Sequence, residues 1–147
     1  MKLNNNDNLY IANQKYISLA IEKILSGDII IYPTDTLYGF GVDATNCEAI
    51  DKLNKLKKRT QVYSIIVSSI KMLNKYAKVT KDQGRELKKY LPGPFTMILK
   101  KNKSNLSNLI TLDLRTIGIR IPKNQFILKL VSYIDKPIVT TSVNIHK

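Results

Sequence analysis

The feature that most constrains the fold is the apolar run Ile29-Ile30-Ile31, which lies between Gly27 and Pro33. A short β-branched run bounded by turn-forming residues predicts a buried strand. The segment YPTDTLYGFGVDA follows directly at 32–44 and is rich in hydroxyl groups, with two glycines separated by one residue. Such a loop can bring backbone N–H groups and hydroxyls close to a small polar ligand. The alternative is a tight turn whose threonines hydrogen-bond only to the local backbone.

Helical and strand patterns alternate along the rest of the chain, which predicts one α/β layer fold. Helices are predicted at 13–26 with Asn13 as the cap, from Asn46 to the basic cluster at 57–59, and at 70–77, 81–91 and Gln125–Ile134. Strands are predicted at 29–32, 65–67, 95–100, 117–121 and 138–141. The first two strands, with the helix between them, predict a parallel crossover unit.

The charge of the chain is strongly positive. It is +13 over 147 residues, from 24 basic and 11 acidic side chains. A surplus of this size favours polyanionic partners such as RNA or nucleotide phosphates. The alternative is a general abundance of lysine, since the lysines are spread along the whole sequence. Only four basic residues are arginines, and an arginine in a lysine-rich chain indicates a need for the planar guanidinium fork. They are Arg59, Arg85, Arg115 and Arg120.

Several classes of protein are disfavoured by the composition. No apolar run is long enough to span a bilayer, and the asparagine-rich start has no signal-peptide core. A single cysteine, Cys47, cannot form an intrachain disulfide and is typical of a reducing compartment. We therefore expect a cytoplasmic location without a membrane partner. One cysteine and one histidine, His146, cannot make a zinc site or a credible Ser-His-acid triad.

Two motifs carry cations that are either solvated or in contact with an anion. The cluster Lys57-Lys58-Arg59 ends a predicted helix, where it is either a solvated basic end or a phosphate site. In the second interpretation Lys57 and Arg59 lie on one side of an extended backbone. Arg120, in the motif IGIRIP, has isoleucines on both sides, so in a strand it occupies the opposite face and must be solvated or meet an anion.

Two further segments complete the set of candidate motifs. LPGPFT at 91–96 predicts a rigid entry into a strand, and TTSVN at 140–144 follows an apolar strand directly. In open α/β sheets ligands gather beyond the carboxyl ends of strands, where TTSVN and the 34–41 loop are both expected. The sequence contains neither a GxxxxGK[ST] phosphate loop nor a GxGxxG fingerprint.

Together the five motifs resemble the YrdC-type family of L-threonylcarbamoyladenylate synthases over roughly residues 13–147. The resemblance implies a YrdC-like domain with a twisted mixed sheet, flanking helices and a basic concave cavity. It implies formation of threonylcarbamoyl-AMP and pyrophosphate from L-threonine, bicarbonate and ATP. Mg²⁺ would arrive with ATP, and no protein-bound metal is expected. The product would pass to a downstream threonylcarbamoyl transferase for tRNA modification, with tRNA as an expected partner.

The resemblance also implies roles for individual residues. Those implied to surround threonine are Thr34, Thr36, Arg120 and Ser142. Those implied to hold ATP are Lys57, Arg59 and Asn144, and the first two would be catalytic by offsetting charge on the phosphates.

The sequence also departs from the family pattern. Tyr63 and Ser64 stand where many members have Lys-Pro or Lys-Gly, so one cation expected near the phosphates is missing. Residues 1–12 are expected to be a polar extension, and the C-terminal end of the usual domain is expected to be missing after Lys147. The alternative function is a non-catalytic module of the same fold that binds tRNA, other RNA or a nucleotide.

Overall fold

A seven-stranded mixed sheet organises residues 14–143, the part of the chain that the computed structural model describes. Within this range the strands are β1 (Ile30–Pro33), β2 (Tyr38–Gly41), β3 (Ser64–Ile66), β4 (Ala77–Lys78), β5 (Met97–Lys101), β6 (Thr116–Arg120) and β7 (Ile138–Ser142). The helices are α1 (Ile17–Leu25), α2 (Cys47–Lys57), α3 (Ile70–Tyr76), α4 (Lys81–Tyr90) and α5 (Gln125–Ile134). Short 3₁₀ helices occupy Gln14–Tyr16 and Asn108–Ile110. The predicted α/β class is confirmed.

The strand order is β1-β2-β7-β3-β6-β5-β4. Only β3 and β6 pair in parallel, and each of the other neighbouring pairs in this sheet is antiparallel. β7 therefore lies between β2 and β3, although it is the last strand in the chain. This arrangement brings the end of the described chain against the first hairpin.

Most of the predicted helices are confirmed, and their caps explain where they begin. The Asn46 side chain accepts a hydrogen bond from the Ala49 N–H at 3.1 Å, as expected for an N-cap. α4 begins with a capping box in which Thr80 and Gln83 exchange hydrogen bonds. α1 starts at Ile17, later than predicted, and the proposed cap Asn13 lies outside the described residues.

Only residues 34–37 of the predicted loop at 34–41 form a loop. Residues 38–41 form β2, which pairs with β1 as an antiparallel hairpin. The first two expected strands, 29–32 and 65–67, were predicted to be parallel, and this prediction is wrong. β1 and β3 run in opposite directions. The parallel crossover instead joins β2 to β3 through α2. Because glycine is depleted in strands, the two glycines among these four residues made the segment resemble a loop in the sequence.

The register divides the sheet into two faces. Cross-strand partners share a face, so Phe40, Ile65, Ile119 and Val139 lie together on one side. All four are buried, and α2 packs against this side, where Asn54 accepts a 2.7 Å hydrogen bond from the Tyr63 hydroxyl. The opposite side, here called the polar face, carries Tyr32, Ser64, Gly118, Arg120 and Thr140.

Two glycines provide a matched test of this packing. A Cβ on Gly41 would lie 2.7 Å from Cε1 of the Tyr32 ring, whereas a Cβ on Gly84 would meet only Val79 Cγ1, at 3.8 Å. We expect Gly41→Ala to lower the free energy of unfolding by about 2 kcal/mol through overpacking. Gly84→Ala should raise it by about 0.5–1 kcal/mol, because alanine is the better helix former. Urea unfolding of both variants checks this, and equal effects would contradict the Tyr32 contact.

Candidate functional site

The Tyr32 ring covers both glycines of β2. A Cβ on Gly39 would lie 3.4 Å from the Tyr32 Cζ and hydroxyl oxygen, and Gly41 lies beneath the other edge of the ring. Tyr32 is fully buried by this arrangement. The glycines are thus needed to accommodate an aromatic ring on the polar face, a role that the interpretation as a ligand-binding loop did not include.

The remaining loop, 34–37, is held by the hydroxyl of Thr34. This oxygen accepts hydrogen bonds from the N–H groups of Thr36 and Leu37, both at 3.1 Å, and donates to the Leu37 carbonyl at 2.6 Å. The hydroxyl of Thr36 lies 3.0 Å away. Both sequence-predicted threonines therefore lie together in one ordered turn, and the Thr34 hydroxyl already makes local hydrogen bonds. The local-turn interpretation accounts for Thr34 in this structure.

Asp35 lies within this turn and forms an ion pair with Arg120. The Nη2 of Arg120 donates to Oδ1 of Asp35 at 3.0 Å, and the two side chains are only 12 % and 14 % exposed. The expectation that Arg120 is either solvated or faces an anion is thus met by an anion from the chain itself. Asp35 is not among the site residues that the motifs predicted. Two features of the sequence could have indicated Asp35. It lies between Thr34 and Thr36 in the same motif, and Arg120 was expected to be solvated or to meet an anion.

Two buried donors on the polar face lack a hydrogen-bond partner within the described residues. They are the hydroxyl of Tyr32 and the Nε of Arg120. Burial raises the pKa of Tyr32, while the nearby Thr140 side chain and the charge of Arg120 act in the opposite direction. The phenol therefore remains protonated and able to donate a hydrogen bond at neutral and moderately alkaline pH.

Lys57 lies buried on the other side of the sheet, at the end of α2. Its Nζ donates to the carbonyl of Ser142 at 2.8 Å and lies 5.6 Å from the centroid of the Phe40 ring. Burial lowers the pKa of Lys57, and the positive charge of Arg59 lowers it further. Lys57 thus connects the end of α2 to the end of β7.

The predicted geometry of the basic cluster is wrong in detail. Lys57 is the last residue of α2, and Lys58 follows in the left-handed conformation with φ of 54°. The backbone is therefore not extended here, which was the reason given for placing Lys57 and Arg59 on one side. Arg59 is exposed whereas Lys57 is buried.

Of the other candidate residues, Ser142 lies at the end of β7. Ser142 is exposed and pairs in register with Gly39, next to Tyr32. Asn144 lies outside the described residues. Tyr63, which stands where many family members have lysine, is buried, and its partner on α2 is Asn54. Ser64 lies on the polar face directly against Gly118.

Within residues 14–143 no group of three His, Cys, Asp or Glu side chains is arranged to hold a metal ion. The same residues include no helix with the length and apolar character required to cross a membrane.

The raised pKa of Tyr32 gives a testable dependence on pH. Above its ordinary value of 10.0 the unfolded phenol loses its proton while the folded phenol keeps it, so the free energy of unfolding falls as the pH rises. Removing one such group should reduce this slope by up to about 1.4 kcal/mol per pH unit. We expect Tyr32→Phe to lose less stability than the parent between pH 9 and 11 in urea titrations.

The matched control is Tyr133→Phe, since Tyr133 is 71 % exposed. Tyr63 and Tyr76, whose pKa values are also raised by burial, remain in both variants. An identical alkaline slope in Tyr32→Phe and the parent would contradict the buried phenol.

Comparison with solved structures identifies the same fold in other proteins. A crystal structure of Pyrococcus abyssi Sua5 complexed with L-threonine superposes with a TM-score of 0.82 and 30 % sequence identity, covering 90 % of this chain and 40 % of the Sua5 chain. The structure of Escherichia coli YciO gives a TM-score of 0.78 at 26 % identity, covering 88 % of this chain and 64 % of YciO.

Sequence comparison agrees with the structural one. A Psychromonas ingrahamii protein named threonylcarbamoyl-AMP synthase is 35 % identical over 143 residues, covering 93 % of this chain and 74 % of its own length. The family model Sua5_yciO_yrdC, described as "Telomere recombination", matches residues 22–147. The chain therefore belongs to the Sua5/YciO/YrdC family.

Proposed function

We propose that the chain is a threonylcarbamoyl-AMP synthase, a nucleotidyltransferase that uses L-threonine, bicarbonate and ATP. The observation that carries the proposal is the Arg120 side chain on the polar face, which is only 12 % exposed, is held by Asp35 and shares this face with a second unpartnered donor, Tyr32. Relatives with the synthase name and a Sua5 structure that contains L-threonine support this substrate. The chain spans 74 % of the Psychromonas protein and 40 % of the Sua5 chain, so the activity of those whole proteins is a proposal for this one.

The threonine side of the reaction requires recognition of a small zwitterion. Arg120 would bind the carboxylate through charge-assisted hydrogen bonds, leaving the amine to react. The hydroxyls of Thr36 and Ser142, with the turn held by Thr34, would surround the rest of the molecule. The threonine nitrogen and bicarbonate form a carbamate with loss of water, and a carbamate oxygen attacks the α-phosphorus of ATP. Pyrophosphate leaves as the new P–O bond forms.

The ATP side requires positive charge, because negative charge builds on the leaving pyrophosphate. Lys57, Arg59 and Asn144 are the proposed ATP contacts, and Mg²⁺ would enter with the nucleotide. Lys57 now lies against the Ser142 carbonyl, at the strand end that leads into Asn144. A Lys57 ammonium in this position would act on phosphates bound beyond β7 and would fix the backbone that carries Ser142. Catalysis would then rest on positioning and electrostatics.

The two predicted cations can be tested separately from their neighbour. We expect Lys57→Ala and Arg59→Ala each to reduce threonine-dependent pyrophosphate release by about 100-fold, because transition-state charge loses a partner. Lys58→Ala is the matched control: Lys58 is the exposed residue between them and should change the rate less than about twofold. The assay follows pyrophosphate from ATP, bicarbonate and L-threonine, with folding of each variant checked by circular dichroism.

The alternative function is a non-catalytic module that binds tRNA or nucleotides, favoured by the charge of +13. This alternative predicts different results for the parent protein and its variants. Folded parent protein would release no pyrophosphate, and tRNA binding would weaken with salt and survive both Lys57→Ala and Arg59→Ala. That result would replace the synthase proposal. As a synthase, the chain would instead supply threonylcarbamoyl-AMP to a separate transferase that modifies tRNA.

A further inference from the structure

The ion pair between Asp35 and Arg120 joins two parts of the chain that are 85 residues apart. Arg120 sits at the end of β6, whereas Asp35 is in the turn between β1 and β2. The side chains of Arg120 and Asp35 are 12 % and 14 % exposed, so their contact is partly shielded from water and salt although the turn around Asp35 is exposed. Holding a long guanidinium side chain in one orientation is the direct consequence of such a contact.

The turn that carries Asp35 is itself fixed. The Thr34 hydroxyl bonds the backbone of both Thr36 and Leu37, on the far side of Asp35. Asp35 therefore approaches Arg120 from an ordered backbone rather than from a free loop. The contact itself is made by one guanidinium nitrogen, Nη2, and one carboxylate oxygen, Oδ1, which leaves other donors of Arg120 available.

The buried donors that have no hydrogen-bond partner indicate which kind of ligand group could bind here. Within the described residues, the Nε of Arg120 and the hydroxyl of Tyr32 are buried and have no hydrogen-bond partner. Leaving a buried donor unpaired is costly, so such atoms call for an explanation. Tyr32 and Arg120 lie on the same face of the sheet, where the register places Thr140 and Ser64 between their strands. Two buried donors on one face, one of them cationic, match an anionic group and not an ammonium group.

We propose that Asp35 is a positioning residue that holds Arg120 so that its Nε, together with the Tyr32 hydroxyl, binds one oxygen of the substrate α-carboxylate. This inference rests on the proposed function for the identity of the substrate. It adds two residues, Asp35 and Tyr32, to those that the sequence motifs indicated. Asp35 contacts Arg120 and not the substrate, whereas Tyr32 contacts the substrate oxygen directly.

The test compares L-threonine with L-threonine amide, in which a neutral carboxamide replaces the carboxylate. Binding is measured by calorimetry for the parent, Asp35→Asn, Asp35→Glu and Tyr32→Phe. We expect Asp35→Asn and Tyr32→Phe each to weaken threonine binding by about tenfold, the typical effect of losing one hydrogen bond to a charged group. Asp35→Glu should restore most of the affinity. Binding of the amide should be nearly unchanged, so the preference for the carboxylate collapses.

The matched control is Asp28→Asn, which removes the carboxylate of an exposed pair with Lys23 at 3.5 Å. It should leave the preference for threonine over its amide intact. A merely structural role for Tyr32 would lower the melting temperature of Tyr32→Phe. The proposal instead expects no decrease, since the variant removes an unpartnered buried hydroxyl.

The outcomes separate this inference from the proposed function. A parent chain that binds no L-threonine contradicts the proposed function itself. Threonine binding that both Asp35→Asn and Tyr32→Phe retain contradicts only the inference. Tighter threonine binding by Asp35→Asn would also overturn it, because Asp35 would then be a competitor that the substrate displaces from Arg120. If Asp35→Asn does not fold, Tyr32→Phe and the amide comparison decide the question.

Discussion

The packing of Tyr32 onto Gly39 and Gly41 is the contact on which the polar face depends. A side chain at Gly41 would collide with the ring, and one at Gly39 would lie against its hydroxyl end. Because β2 presents no side chain at these two positions, the ring can lie flat and be fully buried. The same close packing leaves the turn at 34–37 near the sheet, where Asp35 reaches Arg120. The two glycines, which in the sequence indicated a ligand-binding loop or a tight turn, are therefore the positions that accommodate the Tyr32 ring in the fold.

The two buried cations, Arg120 and Lys57, are stabilised in different ways. Arg120 is neutralised by a carboxylate, so its charge is retained at modest cost. Lys57 relies on the Ser142 carbonyl and the Phe40 ring, and burial lowers its pKa. A lysine whose pKa is lowered by burial costs stability at neutral pH, because its charged form is disfavoured in the folded state. Groups kept at such a cost are typical of functional sites, which agrees with the proposed role at the phosphates.

Local patterns predicted most of this fold, and long-range pairing accounts for what they missed. Helix caps such as Asn46, and the apolar runs of β3, β6 and β7, are properties of neighbouring residues and were predicted within a few positions. The family resemblance is confirmed. Separately, the isoleucines on both sides of Arg120 predicted that it is solvated or meets an anion, and the structure places Asp35 against it. The identity of that anion depends on the contact between residues 35 and 120, for which no local periodicity gives a signal. The prediction that Lys57 and Arg59 lie on one side assumed an extended backbone. It is wrong because Lys58, between them, adopts a left-handed conformation.

Mixed topology also changes where a site can form. In a parallel sheet, ligands gather at the edge where the carboxyl ends of all strands meet. Here β1 and β7 end in one direction and β6 ends in the other, so Arg120 approaches from the opposite edge to Thr34 and Ser142. Arg120 meets Asp35 of the turn across the face of the sheet instead, and only alternate residues of each strand can contribute side chains to that face. A slip of one residue in the β7 register would send Thr140 and Ser142 to the helix-packed side. The carbonyl of Ser142 held by Lys57 opposes that slip, and this makes Lys57 important to the polar face even though its side chain lies on the other side.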